Sequence, residues 1–158
     1  MKLYIYTDGA ASGNPGRGGF GIVMEYGKHR REYAQGFLRT TNNRMELLAV
    51  IVALESLTKT DLDIEIFSDS KYVVDAINKR WLFDWERKYF KGKKNPDLWL
   101  RFLPLYRQHR IVFHWIKGHN NHPQNERCDQ LAVAASMQEN LPPDEGYEKI
   151  LAANKSLL

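Results

Sequence analysis

The segment NNRMELLAVIVALESL, residues 42–57, carries apolar side chains on nearly every side of a helix. A surface helix shows one apolar stripe, whereas a helix apolar all round is buried. The rest of the chain must therefore supply the layers that cover it. With 158 residues, 43% of them hydrophobic, the chain can form one domain around one sizeable core. Its longest apolar run, Leu47 to Leu54, is far too short to span a bilayer.

The covering elements are legible. KLYIYTD alternates and is rich in aromatic and β-branched residues, so it reads as a strand. It places Leu3 and Ile5 on one face and Tyr4, Tyr6 and Asp8 on the other. GFGIVMEYG and REYAQGFLR read as two more strands, turning at Gly27 and Lys28. DIEIFSD and RIVFHWI are strands. SKYVVDAINK, DLWLRFLPLYRQH and HPQNERCDQLAVAASMQEN are helices, the second one disturbed at Pro104. The order β-β-β-α-β-α-α-β-α implies an α/β fold: one mixed sheet with helices packed on it. LPPDEGYEKILAANKSLL opens on a breaker pair and reads as a loosely held tail. The expected division is a domain over 1–140 and a partly disordered C-terminal tail over 141–158.

Four carboxylates stand where structure alone does not ask for them. Asp8 and Asp69 close strands, where ligands of open α/β sheets collect. The ordinary alternatives are a turn-starting role for Asp8 and helix capping for Asp69. Asn43 and Glu46 have capping-box spacing. Glu46 also heads the buried stripe of Ala49, Val50, Ala53 and Leu57, so its carboxylate points inward and needs a cation or hydrogen bonds. Asp129 lies beyond the first turn of its helix and has no capping role; a solvated face is its alternative. If the four converge, mutual repulsion demands cations, and oxygen ligands suit Mg²⁺.

KGHNNHPQNERC offers His119, His122 and Cys128, too few ligands for a structural zinc site. His119 sits in a Gly/Asn-rich loop and has the titration range for proton transfer, with a plain surface histidine as its alternative. YTDGAASGNPGRGG is no phosphate loop, because it lacks the G-K-[ST] ending and a strand follows. The segment from Lys79 to Asn95 interleaves Trp81, Phe83, Trp85, Tyr89 and Phe90 with Arg80, Arg87, Lys88, Lys91, Lys93 and Lys94. Cations track phosphates and aromatic faces pack on sugars and bases. An amphipathic helix with a solvated basic face, or a membrane-surface helix, are the other readings. The net charge of +4 permits an anionic partner. A single cysteine, Cys128, excludes an internal disulfide and makes a reducing compartment the default. No signal peptide is expected, because Asp8 breaks the first apolar run.

YTDGAASGNPG, RTTNNRMEL, FSDSKYV and KGHNNHPQNERCDQLA occur in an order and spacing that resemble bacterial ribonuclease HI, the type 1 ribonuclease H family, over almost the whole chain. The resemblance implies a ribonuclease H-like fold, a five-stranded mixed sheet with three antiparallel strands and then two parallel ones, flanked by helices. It implies Mg²⁺-dependent endonucleolytic hydrolysis of the RNA strand of RNA–DNA hybrids by two ions, leaving 5′-phosphate and 3′-hydroxyl ends, with Mn²⁺ as an alternative ion. Asp8, Glu46, Asp69 and Asp129 would be the metal-binding catalytic carboxylates, with His119 assisting proton transfer or product release. Asn14, Asn42 and Asn43 would contact the hybrid near the scissile region. Arg39, Thr41 and Asn95 would hold a phosphate of the DNA strand. Trp81, Trp85, Lys88, Lys91, Lys93 and Lys94 would belong to a basic protrusion gripping the hybrid. Lys71 stands where a well-known member has a substrate-contacting glutamine. A monomeric cytoplasmic enzyme with no membrane and no obligate protein partner is the expectation. A non-catalytic hybrid-binding module on the same fold is the alternative.

Overall fold

A computed structural model describes residues 1–118 and 122–156. Strands β1 (Leu3–Ser12), β2 (Gly16–Tyr26) and β3 (His29–Thr40) form an antiparallel meander. Helix α1 (Asn42–Glu55) follows, then strand β4 (Asp63–Ser68), helices α2 (Lys71–Asn78), α3 (Trp81–Arg87) and α4 (Pro96–Arg107), strand β5 (Arg110–Trp115), and helices α5 (Pro123–Ser136) and α6 (Glu145–Ser156). The sheet order is β3-β2-β1-β4-β5. β1 pairs antiparallel with β2 and parallel with β4, and β5 pairs parallel with β4. The expected mixed sheet, antiparallel and then parallel, is what the chain forms.

The uniform hydrophobicity of α1 has a plain cause. The helix lies between the sheet, where it meets β1 and β2, and α4 on its outer side. Met45, Leu47, Ala49, Val50, Ile51 and Ala53 are fully buried there. The opposite sheet face carries α5, which rests on β1, β2 and β3. It can lie this close because β2 presents glycines. A Cβ on Gly21 would collide with the Cys128 carbonyl and stand 2.7 Å from Leu131 Cβ, and one on Gly19 would stand 2.6 Å from the Ala132 carbonyl.

Two expectations change. Pro104 does not interrupt its helix, because it lies in the last turn of α4, which runs through it. The stretch read as a loosely held tail contains α6, and its entry is anchored. Asp144 is buried beside Arg44, itself only 1% exposed. Arg44 Nε donates to Asp144 Oδ2 at 2.8 Å and Nη2 to Oδ1 at 3.0 Å, while Nη1 and Nη2 donate to Asp97 at 2.9 and 2.8 Å. Thr40 Oγ1 adds a third donor to Asp144 at 2.7 Å. Burial opposes the charge of Arg44, and its pairs with Asp97 and Asp144 outweigh it. The anchoring partners lie about a hundred positions away, beyond the reach of any local pattern. Among the described residues no helix is long and apolar enough to cross a membrane.

Candidate active site

β1 pairs with β4 only as far as Tyr6 opposite Phe67. Beyond that point β1 continues along β2 alone to Ser12, so Asp8 sits where the two parallel strands part rather than at the end of its strand. β4 ends at Ser68, and Asp69 follows at once. α1 supplies Glu46 from the layer above. The two capping readings fail, because other residues cap. Thr41 accepts from the Arg44 amide at the start of α1, and Ser70 accepts from the Val73 amide at the start of α2. Glu46 and Asp69 both line the cleft.

Gly9 ties the first two carboxylates together. Its amide donates to Asp8 Oδ1 at 2.9 Å and to Glu46 Oε1 at 3.0 Å. A side chain there is impossible without movement, since a Cβ would lie 2.5 Å from both the Glu46 amide nitrogen and the Met45 carbonyl carbon. Oxygens of Asp8, Glu46 and Asp69 come within 4.8 Å of one another. Asp129, half-buried on α5, lines the same 360 Å³ cleft but is not part of that close set.

Burial, with the charges of Asp69 and Asp129, pushes Asp8 up to about 7. Burial, with the charges of Asp8 and Asp69, pushes Glu46 well above the usual carboxylate range. Glu46 Oε2 is buried with no hydrogen-bond partner among the described residues. An oxygen left unpartnered inside a set of repelling carboxylates fits a hard divalent cation, which prefers oxygen ligands and neutralises their charge.

Asn42 and Asn43 line the cleft beside the carboxylates, as does Lys71. Asn14 Oδ1 accepts from the Asn42 amide at 3.1 Å, linking the β1–β2 turn to α1. Asn14 and Asn43 also border a second depression of 580 Å³, where Thr41, Asn95, Lys93 and Lys94 meet. Arg39, expected with Thr41 and Asn95, is instead held by Glu148 of α6, Nε to Oε1 at 3.0 Å and Nη2 to Oε2 at 2.7 Å. In the basic segment Trp81 stays 44% exposed, whereas Trp85 packs edge-on against buried Trp99. Lys88 and Lys91 are exposed. The ammonium of Lys93 lies 5.3 Å from the Trp85 ring centroid. His119 lies outside the described residues. Trp115 escaped the sequence reading, although it closes a strand at the same sheet end as Asp69 and its indole N–H donates to the Asp69 carbonyl at 3.0 Å.

A family model for RNase H matches residues 1–137. This chain belongs to the ribonuclease H family. Among ribonucleases H, that of Desulforamulus reducens is 55% identical over 148 residues, covering 90% of this chain and 92% of the relative. That of Rippkaea orientalis is 53% identical over 152 residues, covering 93% of each. Among solved structures, LC9-RNase H1, described as a type 1 RNase H with the type 2 active-site motif, superposes with a TM-score of 0.78 at 32% identity, over 96% of this chain and 81% of that one. LC11-RNase H1 in complex with an RNA/DNA hybrid superposes with a TM-score of 0.64 at 28% identity, over 84% of this chain and 95% of that one.

Proposed function

We propose that this ribonuclease H cuts the RNA strand of RNA–DNA hybrids at internal positions, with two Mg²⁺ ions held by Asp8, Glu46, Asp69 and Asp129, and that its products carry 5′-phosphate and 3′-hydroxyl ends. The observation that carries the reading is the meeting of three carboxylates within 4.8 Å of one another. Divalent ions, when bound, supply a water of lowered pKa and charge neutralisation at the reacting phosphate. Mn²⁺, also served by oxygen ligands, would be able to replace Mg²⁺.

The protein's own groups do the positioning. The Gly9 amide orients Asp8 and Glu46 together. Asn14, Asn42 and Asn43 stand beside the cleft as hydrogen-bonding groups for 2′-hydroxyls, the feature that separates RNA from DNA locally. Thr41, Asn95, Lys93 and Lys94 line a neighbouring depression suited to a phosphate of the other strand. Lys88, Lys91, Trp81 and Trp85 extend that contact along the duplex. Arg39 joins it when Glu148 yields, and His119 assists the proton that leaves with the product.

The decisive assay offers a labelled hybrid beside single-stranded RNA, duplex RNA and duplex DNA, with Mg²⁺ and with EDTA. Cleavage of the hybrid's RNA strand alone, and only with Mg²⁺, is expected. Equal cutting of all four substrates, or cutting in EDTA, overturns the reading. Tight hybrid binding with no turnover would favour a non-catalytic binding module.

A further inference from the structure

Trp115 has two distinct interactions, and they reach two different parts of the cleft. Its indole N–H donates to the Asp69 backbone carbonyl at 3.0 Å. Its ring lies under the Lys71 ammonium, 4.8 Å from the centroid. Neither side chain is explained by the fold. Trp115 remains 45% exposed, so the core does not require it. Lys71 opens α2 just after its cap, where the helix dipole disfavours a cation, and no acidic residue offsets it in that turn. Yet Lys71 lines the same cleft as Asp8, Glu46 and Asp69.

We infer that Trp115 is a positioning residue with two separable effects. Its N–H fixes the backbone that carries the Asp69 carboxylate, and its ring aims the Lys71 ammonium at a non-bridging oxygen of an RNA-strand phosphate adjoining the one that is cut. The inference rests on the hybrid-cleaving function proposed above. A cation held over an aromatic face keeps its own charge, and its remaining N–H donors stay available to an incoming anion. Lysine binds phosphate as a point charge, so it strengthens the salt-sensitive part of substrate binding. A hydrogen bond to the backbone of a metal-binding residue acts instead on the geometry of the reacting centre. Charge and geometry are therefore carried by one side chain but read out by different kinetic constants.

The test measures Mg²⁺-dependent hybrid cleavage by the full chain across a salt series, with melting curves to verify folding. Lys71→Gln should raise KM and flatten the slope of log KM against log salt by about 0.7–0.9, one phosphate contact. Lys71→Arg should restore the slope. Trp115→Phe keeps a ring beneath Lys71 but loses the N–H. It should lower kcat about tenfold, the worth of one hydrogen bond, raise the Mg²⁺ concentration for half-maximal rate, and leave the salt slope alone. Trp115→Leu should show both defects. An unchanged salt slope in Lys71→Gln overturns the inference, as does a Trp115→Phe enzyme with unaltered kcat and Mg²⁺ requirement. Either result, with hybrid cleavage intact in the unaltered chain, leaves the proposed function standing. Failure of the unaltered chain to cut hybrids removes both.

Discussion

Arg44 and Asp144, a hundred positions apart, form a two-point ion pair inside the protein, Nε to Oδ2 at 2.8 Å and Nη2 to Oδ1 at 3.0 Å. The pair fastens the entry of α6 to the first turn of α1, whose opening residues Asn42 and Asn43 line the cleft wall. The last helix and the helix that carries Glu46 therefore share one electrostatic joint.

Removing one partner leaves the other charge buried. Asp144→Ala should destabilise the fold by about 3 kcal/mol, the lower end for a broken buried pair because Asp97 still holds Arg44. Urea unfolding measures this. A loss under about 1 kcal/mol, the worth of an exposed pair, would show that the joint is solvated.

Stability without metal should depend on pH through two groups of opposite sign. Asp8 sits at about 7 in the fold, whereas an unfolded aspartate releases its proton near about pH 4. The native state holds the extra proton between those values, so this contribution is full below about pH 4 and is lost as pH rises through 7. Burial would raise Asp144, but hydrogen bonds from Arg44 and Thr40 pull it below the usual range, so its contribution is present at higher pH and lost in acid. In EDTA the melting temperature should peak at about pH 5 and decline toward neutrality. Mg²⁺ should raise it more at pH 7.5 than at pH 5. Asp8→Asn should flatten the decline and slow turnover about a thousandfold, several kcal/mol of lost metal assistance. Calorimetry at both pH values, with and without Mg²⁺, checks each part, and a melting temperature that climbs steadily to pH 7.5 in EDTA would contradict the repulsion.

Gly9→Ala pushes a methyl into the backbone of α1, 2.5 Å from the Glu46 nitrogen. Overpacking of this kind costs about 1–3 kcal/mol. Because the displaced atoms form the peptide bond between Met45 and Glu46, activity should fall further than stability. Retention of full kcat in a destabilised variant would show that the site tolerates the shift.

Glu148→Gln releases Arg39 from its partner on α6. The exposed pair is worth about 1 kcal/mol at most. If Arg39 grips phosphate, KM for the hybrid should drop by up to about fivefold, with a steeper salt dependence. An unchanged KM and salt slope would assign the pair to holding α6 alone.

Much of the fold was legible because its elements announce themselves locally. The alternation of KLYIYTD and the all-round hydrophobicity of α1 are properties of a few consecutive residues. The carboxylates were legible as oddities, residues for which the local structure offered an incomplete reason. Capping was the rival reason for Glu46 and Asp69, and only the folded chain shows Thr41 and Ser70 in that role. The meeting of Asp8 with Glu46 depends on a crossover between sheet and helix, which spacing along the chain does not encode. Arg39 and α6 were harder still, since their partners lie across 109 positions and no periodic pattern marks an ion pair. Trp115 was passed over because an aromatic residue in a strand has an ordinary explanation in the core, which its exposure removes.

The glycines of β2 have a consequence for the candidate site that the cleft itself does not display. They make a bare track on which α5 rides, and α5 carries Asp129. The approach of Asp129 to the cleft is gauged by side chains that are missing. A methyl added to that track would push against α5 and open the cleft from behind.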